Sequence, residues 1–468
     1  MPIDQDRAVT GDRDALRAVA VSAVACTAQF MVVLDISVVN VALPSIRNSL
    51  GLSEVALGWV VNAYALVFAG LLLLGGRSAD LFGRRRMLLA GLAVFAGAGL
   101  AGGLADSGAW LIGARAVQGV GAAALAPVTL AILTTTFEEG RARTRALAVW
   151  TALGLAGGTA GNLLGGVLTE WGTWRSTLLV NVPIALVAVI VAVRVIDADS
   201  PVSPPRLDIP GAVLVTGGLL ASAYGIGEAA SLGWAAVPAL TGLGAGGLLL
   251  SAFVLVESRY AMSPLLPVRL WRIRSVAAGN LLLFLAGACL NPMWFFLSLS
   301  MQAGLGYGPL ETGLAFLPHT VVAIVVGAWA TPWLMRYVEG RLLIAAGALA
   351  AAAGFLWQAQ LNHASGYIDG LLGPAVVFSV GAGLLNTPIT AAVTSGVGRG
   401  EAGAAAGLMN TTKQAGAALG LAVLITVATP GTLAGYNRAF VAIAVIMVAV
   451  AAGSILLPGR RDTAEPTQ

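Results

Sequence analysis

The amino-acid sequence predicts an all-α integral membrane protein with fourteen transmembrane helices. Of its 468 residues, 58% are hydrophobic and only 10% are charged, whereas a soluble domain carries about 25% charged residues. The apolar residues recur in stretches of roughly twenty, the length at which a helix spans about 30 Å of hydrocarbon. The 60 glycines agree with this class, because small residues let membrane helices approach each other closely.

The candidate spans follow one another along almost the whole chain. In order they cover residues 18–42, 55–75, 87–105, 110–134, 145–168, 176–196, 210–230, 236–256, 275–299, 310–334, 341–360, 371–395, 402–427 and 437–457. They predict seven parts, which are a cytoplasmic N-terminal tail (1–17), a six-helix bundle (18–196), a cytoplasmic linker (197–208), two additional helices (209–256), a cytoplasmic loop (257–274), a second six-helix bundle (275–457) and a cytoplasmic tail (458–468).

The basic residues support this count and predict an orientation. Of the 26 lysines and arginines, only Arg47, Arg175 and Arg438 fall on one side of the predicted membrane, and Arg115 and Lys413 lie within spans. The other 21 share the side of the N-terminus. Because cytoplasmic loops are enriched in Lys and Arg, we expect both termini to be cytoplasmic. The same distribution explains the basic pI without a nucleic-acid partner.

Several kinds of chemistry are not supported by the sequence. A phosphate-binding loop needs Gly-Lys-Ser/Thr, but the single lysine, Lys413, is followed by Gln414. The two cysteines, Cys26 and Cys289, lie in apolar stretches and suggest neither a disulfide framework nor a metal site. We therefore expect no metal and no cofactor.

Among the charged residues within predicted spans, three stand out, namely Asp35, Arg115 and Lys413. A charge at the bilayer centre costs roughly 2.5 kcal/mol or more and is a functional candidate by default. Asp35 could exchange protons, or it could form a structural ion pair with Arg115. Lys413 lies about eleven residues into its span, at a depth of about 16 Å near the midplane, where it could serve transport or be a packed, paired lysine.

Further polar and aromatic side chains in the spans are candidates for lining a substrate cavity. His319 could relay protons, or it could be a hydrogen-bonded core histidine. The aromatic residues could equally anchor the helices at the membrane interface. The cavity candidates are Asn40, Asn62, Tyr64, Gln118, Asn291, Trp294, His319 and Lys413.

The segment after the second span, Gly76 to Arg86, holds the densest cluster of charges. Its arginines anchor the topology, and Asp80 among them could sit at a helix N-terminus and interact with the helix dipole. Such a contact could lock one conformation and release another. Gly83-Arg84 has a counterpart in Gly340-Arg341 after the tenth span, which agrees with two related halves, a common plan of transporters.

Four stretches of the sequence carry distinctive motifs, in the first span, in the loop after the second span, in the fourth span and in the sixth span. The stretches are Leu34-Asp35-Ile36-Ser37-Val38-Val39-Asn40-Val41-Ala42-Leu43-Pro44, Gly76 to Leu88, Arg115-Ala116-Val117-Gln118-Gly119, and Trp174-Arg175 through Asn181-Val182-Pro183. Together they resemble motifs of the major facilitator superfamily, and specifically of its fourteen-helix drug:proton antiporter branch (EmrB/QacA type).

The resemblance implies roles for particular residues. Asp35 and Arg115 would take part in proton coupling. A cytoplasmic gate between the halves would contain Gly76, Asp80, Gly83, Arg84 and Arg85. An antiporter motif in the fifth span would contain Gly157, Gly161, Asn162, Gly165 and Gly166, with Asn162 where the family has proline. This departure weakens the inference of antiport but leaves the fold untouched.

The sequence thus predicts two six-helix bundles with two extra central helices, and proton-coupled efflux of amphipathic small molecules such as drugs or antibiotics. The proton gradient would supply the energy, and the expected partners are the lipid bilayer of the plasma membrane, a small-molecule substrate and protons, with the protein a monomer. The alternative on the same fold is a metabolite facilitator or symporter. An enzyme or sensor would need a metal cluster or an acidic diphosphate motif, and the sequence contains neither.

Overall fold

The computed structural model describes residues 3–137, 140–197, 207–261, 265, 268–395, 397, 402–428 and 431–458. Within these residues the chain is helical and forms no strand. The long helices are α1 Ile3–Leu50, α2 Glu54–Phe82, α3 Arg84–Gly103, α4 Gly108–Thr136, α5 Arg141–Trp171, α6 Trp174–Val195, α7 Ile209–Leu232, α8 Val237–Arg259, α9 Arg274–Gly304, α10 Pro309–Leu334, α11 Gly340–Gln358, α12 Ile368–Thr394, α13 Ala402–Val427 and α14 Leu433–Leu456.

Thirteen helices in the described part of the chain are long and apolar enough to cross a membrane. The remaining long helix, α13, has 26 residues and also packs within the bundle, against α2 and α9. Its middle holds the polar run Asn410 to Gln414, which includes Lys413 and lowers its hydropathy. The fourteen predicted spans therefore correspond one to one with fourteen long helices, of which α13 is the polar one.

Some helices extend further than their predicted spans. α1 begins at Ile3, so most of the stretch predicted as an N-terminal tail is helical, and its membrane-length part begins at Leu16. α2 continues to Phe82, so the gate segment is the end of a helix and not a loop. The chain turns at Gly83, whose φ of 90° is in the region that favours glycine, and α3 begins immediately afterwards.

Two helices are interrupted inside the membrane-length region. α6 consists of Trp174–Leu179 and Asn181–Val195, and α9 is interrupted at Asn291, directly before Pro292. Proline lacks a backbone N–H and disrupts the preceding helical turn. The interruption of α6 falls at Val180, directly before Asn181, and that of α9 falls at Asn291 itself; both asparagines belong to the sites described below.

The helices form two bundles that share an interface. In the first bundle α1 packs on α5, and α4 packs on α2 and α3; in the second, α11 packs on α12 and α14, and α9 packs on α13. Contacts between the bundles come mainly from α5 with α10 and from α2 with α13. The extra helices α7 and α8 pack on each other, and α7 also contacts both α2 and α13.

Parts of the predicted loops lie outside the described residues. These are residues 198–206 of the linker, 262–264 and 266–267 of the loop at 257–274, and 459–468 of the C-terminal tail. The loop at 257–274 contains a short helix, Val268–Arg272.

Candidate functional site

A buried ion pair lies at the centre of the first bundle. Arg115 Nη1 of α4 is 2.5 Å from Asp35 Oδ2 of α1, and the two residues are 2% and 0% exposed. The other carboxylate oxygen, Oδ1, accepts hydrogen bonds from Gln118 Nε2 at 2.8 Å and Asn181 Nδ2 at 2.7 Å. Two helices, α4 and α6, therefore supply three donor side chains to one carboxylate of α1, which is fully compensated in this conformation.

The guanidinium of Arg115 is held by contacts beyond the carboxylate. Its Nη1 also donates to Gln118 Oε1 at 2.7 Å, and its Nε donates to Val60 O of α2 at 3.1 Å. The ring of Tyr64 lies 4.4 Å from the guanidinium carbon, a distance at which a cation–π interaction is favourable. Gly119 permits this approach, because a Cβ there would lie 2.6 Å from Tyr64 O.

The glycines of the predicted antiporter motif bring α5 against the helix that carries Asp35. A Cβ at Gly157, Gly161 or Gly165 would lie 2.7, 2.7 or 2.8 Å from the backbone oxygens of Phe30, Leu34 and Val38 respectively. The four-residue spacing places these three glycines on one face of α5. This face therefore sets the position of α1 around Asp35.

The neighbouring face of α5 contacts the second bundle. A Cβ at Gly166 would lie 2.8 Å from Pro309 O, and a Cβ at Gly313 of α10 would lie 2.5 Å from Asn162 O. Asn162 is buried, and α5 runs unbroken from Arg141 to Trp171. Asn162 stands where the resembled family has proline, and here it lies in a continuous helix that packs backbone to backbone on α10.

A second polar site is an open pocket within the second bundle, with a cavity volume of about 170 Å³. Four of the predicted cavity residues, Asn291, Trp294, His319 and Lys413, line it together with Asn386. The rings of Trp294 and His319 lie 4.7 Å apart. The remaining lining residues are apolar or glycine, namely Leu283, Ala286, Gly287, Leu290, Met293, Ala323 and Ala382.

The pocket residues differ in how they are held. His319 is buried, and its Nδ1 contacts Ser379 Oγ, whose hydroxyl donates to Ala375 O. Nδ1 therefore donates to Ser379, as expected of a hydrogen-bonded core histidine. Lys413 is exposed to the pocket, and its backbone oxygen lies 2.4 Å from where Gly287 would carry a Cβ. α13 consequently packs on α9 at the level of Lys413.

The four cavity candidates of the first bundle lie elsewhere. Tyr64 and Gln118 contact the buried ion pair. Asn40 and Asn62 are buried in α1 and α2, and the Oδ1 atom of Asn62 has no hydrogen-bond partner. The sequence grouped all eight candidates around one cavity, whereas the structure divides them between the ion-pair site and the pocket.

The predicted cytoplasmic gate residues surround the junction of α2 and α3. Arg85 Nη2 donates to Val193 O of α6 at 2.8 Å, within the first bundle. Gly76 faces Pro127 of α4, and Arg84 begins α3. The side chain of Asp80 lies outside the described residues, so its part in a gate between the halves stays a prediction.

One buried acid that sequence reasoning missed, Glu54, joins the two bundles at the opposite end of α2. Glu54 is 2% exposed. Its Oε1 accepts hydrogen bonds from Tyr436 Oη at 2.8 Å and from Gly431 N at 2.5 Å, and Arg47 Nη1 lies 3.4 Å away. Because Glu54 follows Ser53 at a helix start, the sequence pattern is that of a solvated first-turn acid.

Comparisons with known proteins agree with this architecture. The model of the Major Facilitator Superfamily matches residues 25–421. The chain is 53% identical over 451 residues to the cephamycin export protein CmcT of Amycolatopsis lactamdurans, covering 94% of this chain and 93% of that protein. It is 39% identical to the puromycin resistance protein of Streptomyces alboniger over 462 residues, covering 94% and 91% respectively.

Solved structures share the fold. The crystal structure of a peptide transporter in complex with sulfate superposes with a TM-score of 0.69 at 16% identity, covering 93% of each chain. The predicted all-helical major facilitator fold is therefore confirmed, and the relatives compared are export or resistance transporters.

Proposed function

Because the chain belongs to the Major Facilitator Superfamily, we propose that it is a proton-coupled exporter of amphipathic small molecules in the fourteen-helix drug:proton antiporter branch. The relatives named for cephamycin export and puromycin resistance support efflux of antibiotic-like compounds. Proton coupling is supported by the geometry around Asp35.

The observation that carries the proposal is the fully buried Asp35–Arg115 pair at the junction of α1, α4 and α6. Breaking a buried ion pair by neutralising one partner is strongly unfavourable, because the other charge is left without compensation. Protonation of Asp35 would leave Arg115 in that condition. A rearrangement of the first bundle would then lower its free energy, and proton binding would thereby be linked to helix movement.

Substrate movement would follow from rocking of the two bundles around their shared interface. Asp35 would take up a proton from the outer side and release it inward as the substrate leaves. At a membrane potential of 100 mV, entry of one charge supplies about 2.3 kcal/mol. We place the protein in the plasma membrane with both termini cytoplasmic, on the basis of the arginine distribution.

Uptake into everted membrane vesicles tests the proposal. A panel containing a cephamycin, puromycin and other cationic, neutral and anionic amphiphiles is offered with and without an imposed pH gradient. We expect the wild-type protein to concentrate at least one compound only with the gradient, and Asp35→Asn to lose this activity. Asp106→Asn, a change at an exposed acid between α3 and α4, is the matched control.

The second candidate, a facilitator or symporter, is favoured by Asn162 in place of the motif proline. A facilitator would move the compound equally in wild type and Asp35→Asn, and only down its own concentration gradient. That result would end the antiport proposal. Accumulation by wild type that depends on the gradient, together with its loss in Asp35→Asn, would exclude the facilitator.

A further inference from the structure

We propose that the pocket in the second bundle binds the anionic group of a substrate through Lys413, so that anionic amphiphiles are the preferred class. This inference rests on the proposed export function and specifies the substrate of the same transport pathway. It follows from the balance of charge at the two polar sites.

The first bundle offers no net charge to a substrate. Asp35 is paired with Arg115 and accepts two further hydrogen bonds, and both residues are almost completely buried. A cationic substrate therefore finds no available carboxylate at this site in the present conformation.

The second bundle offers an uncompensated cation. Lys413 is exposed to the pocket, and no residue in the pocket lining is acidic. Among the described residues, none forms an ion pair with Lys413. His319, the other titratable lining residue, donates through Nδ1 to Ser379 and contributes no negative charge.

Physical chemistry favours an anion beside such a lysine. A lysine near the bilayer centre costs roughly 2.5 kcal/mol or more when it is unpaired, and the attraction between opposite charges grows as the surroundings become less polar. A bound carboxylate or similar anion reduces this penalty, whereas a cation is repelled. Occupation by an anion is therefore the electrostatically favoured state of the pocket.

The rest of the lining suits an amphipathic molecule. Asn291 and Asn386 bring amide groups to the pocket, and the indole of Trp294 lines it together with Lys413. Small-molecule sites commonly combine an apolar lining with a few polar groups that fix orientation. The anionic group would lie at Lys413 and the apolar body against Trp294 and the aliphatic residues.

Three matched compounds test this assignment, an aromatic carboxylate, its neutral methyl ester and the corresponding tertiary amine. Binding to the purified full-length protein is followed by tryptophan fluorescence, and transport by vesicle uptake. We expect wild type to bind the carboxylate more tightly than the ester or amine. Loss of the charged contact in Lys413→Gln should weaken carboxylate binding by about 10- to 100-fold, with little change for the ester.

Lys413→Arg is the control variant, because arginine keeps the charge, and we expect it to retain the preference for the carboxylate. The inference is overturned if wild type prefers the amine or ester, or if Lys413→Gln weakens all three compounds equally. The binding readout needs no proton gradient. Selective carboxylate binding without gradient-driven export would overturn the export function alone, whereas export that is indifferent to Lys413 would overturn this inference alone.

Discussion

At the scale of single residues, the ion pair packs against the ring of Tyr64, whose hydroxyl makes no hydrogen bond. The ring of Tyr64 lies 4.4 Å from the guanidinium carbon of Arg115, yet its buried hydroxyl has no hydrogen-bond partner. The contribution of Tyr64 therefore comes from the ring face and from packing. Phenylalanine at this position would preserve both and remove an unsatisfied polar group.

The contrast between the packed ring and the unpaired hydroxyl of Tyr64 gives a prediction for two substitutions at this position. Tyr64→Phe should keep export and leave thermal stability in detergent equal or higher, because an unsatisfied buried group is itself unfavourable. Tyr64→Ala should destabilise the protein by about 3–5 kcal/mol, as large-to-small changes of buried aromatic residues do, and should abolish export. A loss of export in Tyr64→Phe comparable to that in Tyr64→Ala would contradict the assigned role of the ring.

The sequence identified the charged partners of the site but not its full set of donors. Asp35 and Arg115 were conspicuous because charges are rare in membrane spans. Asn181 donates directly to Asp35, although in sequence it was only a polar residue in a motif. Glu54 was hidden for a different reason, since burial between two bundles depends on the relation of helices that are distant in the chain.

At the scale of the helix, α5 contacts α1 through one face and α10 through the neighbouring face. Gly157, Gly161 and Gly165 contact the backbone of α1, while Gly166 and the carbonyl of Asn162 contact α10. Close packing of small residues is a main source of helix association in membranes. Movement of α5 against α10 can therefore be transmitted to the helix that carries Asp35.

The two kinds of glycine on α5 allow a matched test. A Cβ at Gly161 would lie 2.7 Å from Leu34 O, whereas a Cβ at Gly158 would lie 3.7 Å from Ser37 Oγ, an ordinary contact. We expect Gly161→Ala to push α5 away from α1 and reduce gradient-driven uptake severely. Gly158→Ala should transport normally, and equal effects of the two changes would show that close packing at Gly161 is unimportant.

Element boundaries were predicted less well than the number of elements. The span pattern located all fourteen long helices, because lipid-length apolar stretches are a strong signal. It stopped α2 near residue 75, although the helix continues to Phe82. Hydropathy reports where the membrane ends, whereas a helix continues as long as its backbone hydrogen bonds do, and here Gly83 ends it.

At the scale of the whole molecule, several polar contacts join the bundles near the end that the arginine distribution assigns to the outside. Gln302 Nε2 of α9 donates to Val41 O of α1 at 2.8 Å. Glu54 accepts from Tyr436 and Gly431 of the other bundle. These contacts hold the outer ends together, and they would have to separate if the pathway opened outward.

Removing the Glu54 contact should shift the protein toward outward opening. Hydrogen bonds to charged groups contribute about 1.5–3 kcal/mol each, so Glu54→Ala should favour separation of the outer ends. In an Asn291→Cys background, we expect labelling by a membrane-impermeant thiol reagent from outside to increase severalfold. The native Cys26 and Cys289 are buried and should contribute little signal.

Glu311→Ala is the matched control, because Glu311 accepts a hydrogen bond from Gly308 N at the start of its own helix. It should leave the labelling rate close to that of the parent. Unchanged labelling in Glu54→Ala would mean that the contact does not restrain the outer ends.

The packing of α7 on both α2 and α13 also bears on how a lipid-dissolved compound reaches the pathway. Thr216 of α7 lies so close to Gly70 of α2 that a Cβ there would be 2.1 Å from its Oγ1, and Leu219 and Ala223 cluster with Ala415 and Ala418 of α13. One seam between the bundles is thereby shielded from the surrounding acyl chains. Lateral entry from a leaflet would then have to use the opposite seam, once α5 and α10 separate from their close backbone contact at Gly166 and Gly313, so the additional helices would make access to the transporter one-sided.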